Sequence, residues 1–262
     1  MTLTCKKNKN PRLITGNDTC VEKSKIKNES GTYRGHLKKG KVDGKGRFTW
    51  KDRSTYLGQW KKGKFDGKGE FKDSINGDIK SGIWKKHKID GPGKWTYYKY
   101  NKKSKKNKRV ISGHWNGNGV VNGKCAKEYP LVKYVGDCKN NAGNGKGTLT
   151  YKSGKVGKGD IKDNDLNGKC VIKYKDGGVY KGTCKKGQPQ GKGKLTYKDG
   201  QINTGTYSNN NLNGKCVKEF PSYTYKGNCK DGYASGRGTQ KHKNGKVETG
   251  IWEKGKLVST NK

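Results

Sequence analysis

Residues 55–69 have the sequence TYLGQWKKGKFDGKG, and the same spacing of glycines and large side chains returns along most of the chain. In each copy an aromatic residue is followed two positions later by glycine and four positions later by a second large residue. Nine positions further comes a residue that closes a GxG motif. Other copies are TYRGHLKKGKVDGKG at 32–46, VYKGTCKKGQPQGKG at 179–193 and TYKGNCKDGYASGRG at 224–238. Such internal similarity predicts a repeat architecture.

Two anchor positions define the units, and they recur about every 23 residues. The first anchor is the large residue: Leu37, Trp60, Trp84, Trp115, Cys138, Ile161, Cys184, Tyr207, Cys229 and Trp252. The second closes the GxG motif: Gly46, Gly69, Gly93, Cys125, Gly147, Cys170, Gly193, Cys216 and Gly238. The step between them is nine residues everywhere except from Trp115 to Cys125, where it is ten.

The units predict β-strands. Tyr56, Gly58 and Trp60 alternate with polar residues, so they share one face of an extended strand. Loops such as KSG, KDG and KNG carry the residues that hairpin turns need. No segment of ten or more residues has helical periodicity. We therefore predict an all-β meander of about 20 short strands.

The pattern YxGxW followed by xxGxxxGxG resembles the MORN (membrane occupation and recognition nexus) repeat. The resemblance covers residues 31–256 and implies an elongated, curved, single-layer antiparallel sheet of about ten hairpins. It also implies an adaptor that uses a groove or its ends. We expect a divergent N-terminal capping segment at 1–30, a basic insertion at 97–111 and a C-terminal tail at 257–262.

The cysteines predict disulfides. If Trp50 lies opposite Tyr56, then Gly46 lies opposite Trp60, and a large side chain covers a residue that has none. The same count places cysteines opposite each other in three hairpins: Cys125 and Cys138, Cys170 and Cys184, and Cys216 and Cys229. Cross-strand partners lie within disulfide reach, and each loop of about 14 residues contributes about 3 kcal/mol.

Two points about the cysteines stay open. Reduced thiols that fill small gaps are the alternative to disulfides, and zinc is disfavoured because no CxxC motif is present. Cys5 and Cys20 fit the repeat register poorly, and we pair them only by elimination.

Disulfides predict an oxidising environment, whether secreted, extracellular or in a virion. The sequence contains no run of 18 apolar residues, the length that a membrane-spanning helix needs. Its start, MTLTCKKNKNPRL, has no apolar stretch typical of a signal peptide. Removal of a leader, or a virus particle oxidised without secretion, reconciles these observations.

The chain is strongly basic, with 61 Lys and Arg against 21 Asp and Glu and a formal net charge of +40. Only six of the basic residues are arginine, the planar side chain that recognises guanine edges. The charge therefore suits a loosely held polyanionic partner better than base-specific recognition. The alternative is that lysine solubilises the sheet and protects its edges.

The insertion YYKYNKKSKKNKRVI at 97–111 concentrates this charge. It predicts a site for an anionic membrane surface or, non-specifically, for nucleic acid. The alternative is a solvated loop. The candidate anion-binding residues are Lys99, Lys102, Lys103, Lys105, Lys106, Lys108 and Arg109.

The aromatic face predicts a protein partner, because nothing in the chain is available to cover it. We expect a peptide, a helix or a neighbouring subunit of a homo-oligomer to lie along Trp50, Trp60, Trp84, Trp95 and Trp115. The alternative is that the rings bury one another.

Enzyme chemistry is not indicated. The four histidines are scattered among lysines, no GxxxxGK[ST] motif occurs, and aspartates such as Asp43, Asp66 and Asp90 precede glycine as turn formers. We expect no catalytic residue, cofactor, metal or small-molecule substrate. The sequence favours a structural or adaptor protein that binds an acidic partner within an assembly. The alternative is a cationic module for anionic phospholipid or nucleic acid.

Overall fold

The computed structural model describes residues 20–26, 29–39, 41–98 and 108–260, with side chains from residue 31 onward. These residues form 21 β-strands that pair antiparallel, each with its neighbour in the chain, in one open sheet. The predicted all-β meander of hairpins is confirmed.

The strands have the following bounds: β1 Cys20–Ile26, β2 Glu29–Lys38, β3 Lys41–Trp50, β4 Thr55–Lys61, β5 Lys64–Lys72, β6 Ile79–Lys85, β7 Lys88–Tyr98, β8 Lys108–Asn116, β9 Val120–Glu128, β10 Val132–Lys139, β11 Ala142–Tyr151, β12 Val156–Lys162, β13 Asp165–Lys173, β14 Val179–Lys185, β15 Gln188–Thr196, β16 Ile202–Ser208, β17 Asn211–Glu219, β18 Tyr223–Lys230, β19 Tyr233–His242, β20 Val247–Glu253 and β21 Lys256–Thr260.

The chain divides into two compact units. The N-terminal unit comprises Met1–Pro130 and Cys138–Asn141, and the C-terminal unit comprises Leu131–Asp137 and Ala142–Lys262. Buried aromatic side chains dominate the core of the N-terminal unit: Tyr33, Phe48, Tyr56, Trp60, Phe65, Trp84 and Trp115. The C-terminal unit mixes aliphatic and aromatic side chains: Tyr134, Leu149, Ile161, Leu166, Ile172, Tyr180, Tyr207, Leu212, Tyr225 and Trp252.

Two-residue turns close the hairpin inside the standard repeat. Lys62 and Gly63, between β4 and β5, have φ of 49° and 75°. Asn209 and Asn210, between β16 and β17, have φ of 47° and 71°. Positive φ at both central residues is the type I′ geometry, whose twist matches that of the paired strands. Glycine and asparagine at these positions therefore specify the hairpins.

Hydrogen bonds join the turns of successive repeats. The Gly63 amide donates to the Val42 carbonyl at 2.7 Å, and the Lys62 amide donates to Asp43 Oδ2 at 3.1 Å. The Asp231 amide donates to Asn213 Oδ1 at 3.0 Å in the same way. In these and four other repeats, the polar residue before the first glycine of the motif thus orders the next turn.

Tyrosine rings explain the glycines that close the GxG motifs. The Tyr180 hydroxyl donates to the Thr183 carbonyl at 2.9 Å, and the ring lies directly on Gly193. A Cβ at Gly193 would lie 2.2 Å from the Tyr180 hydroxyl oxygen. The backbone of Gly193 is unstrained, so the glycine is needed for the space that the ring takes.

The predicted register is wrong by two residues. Phe48, not Trp50, lies opposite Tyr56, and Gly44, not Gly46, lies opposite Trp60. The loop closes more tightly than expected, because the Trp50 amide donates to the Ser54 carbonyl at 3.0 Å. A slide of two residues leaves every side chain on its face, so the assignment of faces is unaffected.

The ten-residue step between Trp115 and Cys125 also has a local cause. Asn116 pairs with Val120 across the turn between β8 and β9, which leaves three residues in the loop. In the standard repeat Lys61 pairs with Lys64 and leaves two. The extra residue therefore lies in the turn, and the strands on either side keep their pairing.

Candidate functional site

Three disulfides cross hairpins of the array: Cys125–Cys138, Cys170–Cys184 and Cys216–Cys229, each with a Cα–Cα distance of 5.9 Å. These are the predicted pairs. Their predicted direct opposition is wrong, because Cys170 lies opposite Gly182 and Cys184 lies opposite Gly168. This bridge and Cys216–Cys229 run diagonally between neighbouring rungs, as the corrected register requires.

In three other repeats a tryptophan, Trp60, Trp84 or Trp252, occupies the same diagonal and donates to a glycine carbonyl. Trp60 Nε1 donates to the Gly46 carbonyl at 3.0 Å, and Trp252 Nε1 donates to the Gly238 carbonyl at 3.0 Å. The disulfide therefore takes the place of an indole that lies over glycine. Cys5 lies outside the described residues, as does the side chain of Cys20, so their pairing stays a prediction.

The tryptophans do not form the fully open face that the sequence suggested. Trp60, Trp84 and Trp115 are only 2%, 6% and 4% exposed. Neighbouring rings cover them, as the alternative expected, since glycine-flanked backbone lets rings lie close to the sheet. Phe65 stacks on Tyr56 at 3.6 Å and meets Trp84 edge-on at 5.6 Å between ring centroids. Trp50 and Trp95 are half-buried.

One groove brings three of the five predicted groove residues together. It has a volume of about 550 Å³ within the N-terminal unit and is lined in part by Trp84, Trp95 and Trp115. Lys80 Nζ lies 4.9 Å from the centroid of the Trp95 ring, and Trp95 Nε1 donates to Asp78 Oδ2 at 3.0 Å. Trp50 and Trp60 do not line this groove.

Only the ends of the basic insertion belong to the described part of the chain. β7 ends at Tyr98 and β8 begins at Lys108, and residues 99–107 lie outside the described part of the chain. Five predicted anion-binding residues fall there: Lys99, Lys102, Lys103, Lys105 and Lys106. Lys108 is exposed, whereas the Arg109 guanidinium lies 5.3 Å from the centroid of the Tyr129 ring.

The outward face of the C-terminal unit carries cations that the sequence did not predict as a binding surface. The lysine or arginine that precedes the closing residue of each motif is exposed, and these side chains form what we call the outer row: Lys146, Lys169, Lys192, Lys215 and Arg237. Exposed lysines on neighbouring rungs form the central row: Lys158, Lys181, Lys194 and Lys226. The signal was the recurring GK[GC] at the second anchor.

Acidic side chains balance the positive charge only at one end of these rows. Lys146 pairs with Asp160, whose carboxylate also accepts a hydrogen bond from the Lys169 amide at 2.8 Å. The hydrogen bond from Lys146 lowers the pKa of Asp160. Further along the rows, no ion pair with a described residue involves these six side chains: Lys181, Lys192, Lys194, Lys215, Lys226 and Arg237.

A buried lysine, Lys127, and a half-buried lysine, Lys218, have a structural role. Lys127 is 3% exposed, and its ammonium donates to the Asn141 carbonyl. Lys218 Nζ donates to the Gly232 carbonyl at 2.7 Å. Burial lowers the pKa of both side chains. Each lysine binds a carbonyl in the turn that follows the next strand.

Other chemistry is sparse in the part of the chain that the structure describes. No cluster of three or more His, Cys, Asp or Glu side chains there could hold a metal ion. His242 Nε2 lies 2.9 Å from Glu248 Oε2 at the β19–β20 hairpin. Among the described residues there is no helical segment that could span a bilayer.

No curated protein matches the chain. Among solved structures, the chain is similar to the TCP domain of SAS-4 (dCPAP) of Drosophila melanogaster, solved in complex with a proline-rich motif of Ana2 (dSTIL). The two share 14% identity over 81% of this chain and 86% of that chain, with a TM-score of 0.27.

The family model for the MORN repeat matches seven segments: residues 33–55, 56–77, 81–102, 134–156, 158–179, 180–202 and 204–225. Together these segments make up more than half of the chain, and each contains strands of the meander described above. The chain therefore belongs to the MORN-repeat family.

Proposed function

We propose that this protein is a non-enzymatic structural or adaptor component that binds an acidic partner. The observation that carries the proposal is the run of cations without acidic neighbours on the outward face of the C-terminal unit. Like charges on neighbouring strands destabilise a sheet, and Lys181 lies directly opposite Lys194. An acidic partner would remove that repulsion. Solubility alone does not require lysines directly opposite each other, so a partner explains the arrangement better.

The disulfides support a role in an oxidising environment. Bridges persist outside the reducing cytosol, in secreted proteins and on particle surfaces. Each of the three sulfur pairs is buried, with cysteines that are 4–6% exposed. A sheet held together in this way suits an extracellular structure or a virus particle, and we propose that the protein is part of such an assembly.

The scattered titratable groups support a non-enzymatic role. His36, His114 and His242 lie on β2, β8 and β19, and His87 lies in the turn between β6 and β7. Catalysis by general acids and bases needs a nucleophile or partner within hydrogen-bond reach. The glycines are explained by turns and by ring packing, without a phosphate.

A protein partner has a second place to bind. The groove beside Trp84, Trp95 and Trp115 presents aromatic walls with lysine at its rim, features that recur at the centres of protein interfaces. We propose that a peptide or a second copy of the chain uses it, as the sequence suggested. Salt distinguishes this groove from the cation-rich outward face, because contacts between apolar side chains in the groove persist at high salt, whereas binding to the cations weakens.

The alternative is a cationic module for anionic phospholipid or nucleic acid. It is favoured by the net charge of +40 and by the lysines of the insertion at 97–111. In that case the charge of the whole chain, rather than one surface, determines binding.

The test is sedimentation of the oxidised protein with polyglutamate, an acidic vesicle and duplex DNA, from about 50 to about 200 mM salt. The proposal expects binding to at least one acidic macromolecule at about 150 mM salt. Changing the five lysines at 99–106 to serine should leave that binding largely intact. Loss of all binding in this variant favours the insertion as the site, and no binding to any probe contradicts the proposal.

A further inference from the structure

We propose that the acidic partner of the C-terminal unit is a linear sulfated polysaccharide that lies across the strands along the outer and central rows. This inference rests on the proposed function and names the chemical class of the partner. The site needs no side chain from the inner face and no residue outside the described part of the chain.

The central row is continuous. Direct cross-strand partners connect Lys181 to Lys194, Lys194 to Thr204, Thr204 to Val217, Val217 to Lys226, and Lys226 to Thr239. Residues directly opposite each other in paired strands share a face. The row therefore runs perpendicular to the strands as one strip, in which the lysines and Thr204 are exposed and Val217 and Thr239 are half-buried.

The outer row is regular. Lys169, Lys192, Lys215 and Arg237 lie on β13, β15, β17 and β19, which are two strands apart in each case. Two strand spacings are about 10 Å. Cations at this interval, comparable to the length of a disaccharide, match a linear chain whose charges repeat with its sugar units.

A cleft lies between the two rows. Its volume is about 510 Å³, and Lys215, Lys226 and Arg237 converge on it together with Thr204 and Asn228. Three cations supply charge for a sulfate group, while the hydroxyl and the amide can hydrogen-bond sugar hydroxyls. The cleft therefore provides both kinds of contact that a sulfated sugar needs.

The composition of the face favours a polysaccharide over nucleic acid. Single-stranded nucleic acid is held by bases stacked on aromatic rings. None of the described residues that line the cleft is aromatic. Arg237 is the single arginine in the two rows, which leaves little capacity to recognise base edges. Oxidised cysteines also indicate the extracellular environment, where polyanions are mainly glycans.

The test uses heparin as the probe, with the oxidised full chain at about 150 mM salt. The variant Lys192→Gln/Lys215→Gln/Arg237→Gln removes three charges of the outer row. The matched control Lys152→Gln/Lys175→Gln/Lys198→Gln removes three charges from exposed loop lysines of the same unit. We expect the row variant to bind heparin at least about tenfold more weakly, and the control to stay within about twofold of wild type. Circular dichroism checks that both variants fold.

The outcomes separate this inference from the proposed function. Equal weakening by both triple variants, or tighter binding to duplex DNA or to phosphatidylserine vesicles than to heparin, overturns the polysaccharide assignment alone. Binding that survives chemical desulfation of heparin overturns it as well. Absence of binding to every polyanion overturns both the assignment and the proposed function.

Discussion

In the repeats that have tyrosine two positions before the first glycine, the tyrosine ring lies on a glycine of the next strand. Tyr56 covers Gly69, and its hydroxyl donates to the Gln59 carbonyl at 3.1 Å. At the scale of single residues, these contacts account for the pattern YxGx(n)GxG better than turn geometry does. These closing glycines have ordinary backbone conformations, and glycine is required because the ring that lies on each of them leaves no space for a Cβ.

We expect Gly69→Ala to destabilise the protein by about 1–3 kcal/mol, because the new Cβ would lie 2.2 Å from the Tyr56 hydroxyl oxygen. Urea unfolding of the oxidised protein measures the change. Gly117→Ala is the control, since a Cβ there meets nothing closer than 3.7 Å. It should shift stability by no more than about 0.5 kcal/mol, and equal effects at the two sites contradict the ring-packing explanation.

Buried tyrosines predict sensitivity to alkali. Burial raises the pKa of Tyr134 and Tyr180 from 10.0 to about 12. Below pH 10 both rings are neutral in the folded and unfolded chains, so their full contribution to the free energy of unfolding is present. As pH rises from 10 towards 12 the unfolded chain loses these protons first, so the free energy of unfolding falls.

Urea unfolding at about pH 9 and about pH 11 measures this fall. Tyr180→Phe has no hydroxyl to ionise at this position and should lose less stability between the two pH values than wild type. Lysines titrate in both proteins, so their contribution cancels in the comparison. The same loss in wild type and variant contradicts the assignment of the effect to Tyr180.

At the scale of elements, a disulfide and an indole that lies over glycine are two ways to link the strands of a hairpin at the equivalent position. The Cys170–Cys184 bridge joins residues 14 apart in β13 and β14. Trp252 and Gly238 occupy the equivalent diagonal in β20 and β19. Interchange of the two solutions is therefore a direct test of equivalence.

We expect Cys170→Ala/Cys184→Ala to lose about 3 kcal/mol of stability, the value for a closed loop of this length. Cys170→Gly/Cys184→Trp should regain part of that loss, because the indole can donate to the carbonyl of the new glycine. The reversed pair, Cys170→Trp/Cys184→Gly, is the control and should regain nothing. Urea unfolding compares the three, and a Gly/Trp rung no more stable than Ala/Ala argues against the equivalence.

The elements also show what the sequence could and could not predict. Spacing alone identified the hairpins and the three cysteine pairs, because both depend on a side-chain period of two. It did not fix whether Trp50 or Phe48 faces Tyr56, since a slide of two residues leaves the pattern of faces unchanged. The burial of Trp60 depends on how neighbouring rings pack, which alternation does not encode. The outer and central rows needed the register before their alignment became visible.

For the whole molecule, the net charge of +40 predicts self-repulsion. Added salt screens it, so the thermal midpoint of the free protein should rise by a few degrees between about 10 mM and about 150 mM sodium chloride. Differential scanning calorimetry measures the midpoint. The thermal midpoint of the triple variant of the outer row should rise less with salt than that of wild type. A midpoint that falls with salt contradicts net repulsion as the dominant electrostatic effect.

The central claim is that this MORN-repeat chain is an oxidised array in which disulfides replace rings over glycine. Peptide mapping of the unreduced native protein by mass spectrometry tests it most directly. The account predicts three cross-linked peptide pairs, which join Cys125 to Cys138, Cys170 to Cys184, and Cys216 to Cys229. Free thiols at these six positions, or a link from Cys138 to Cys170, would contradict it.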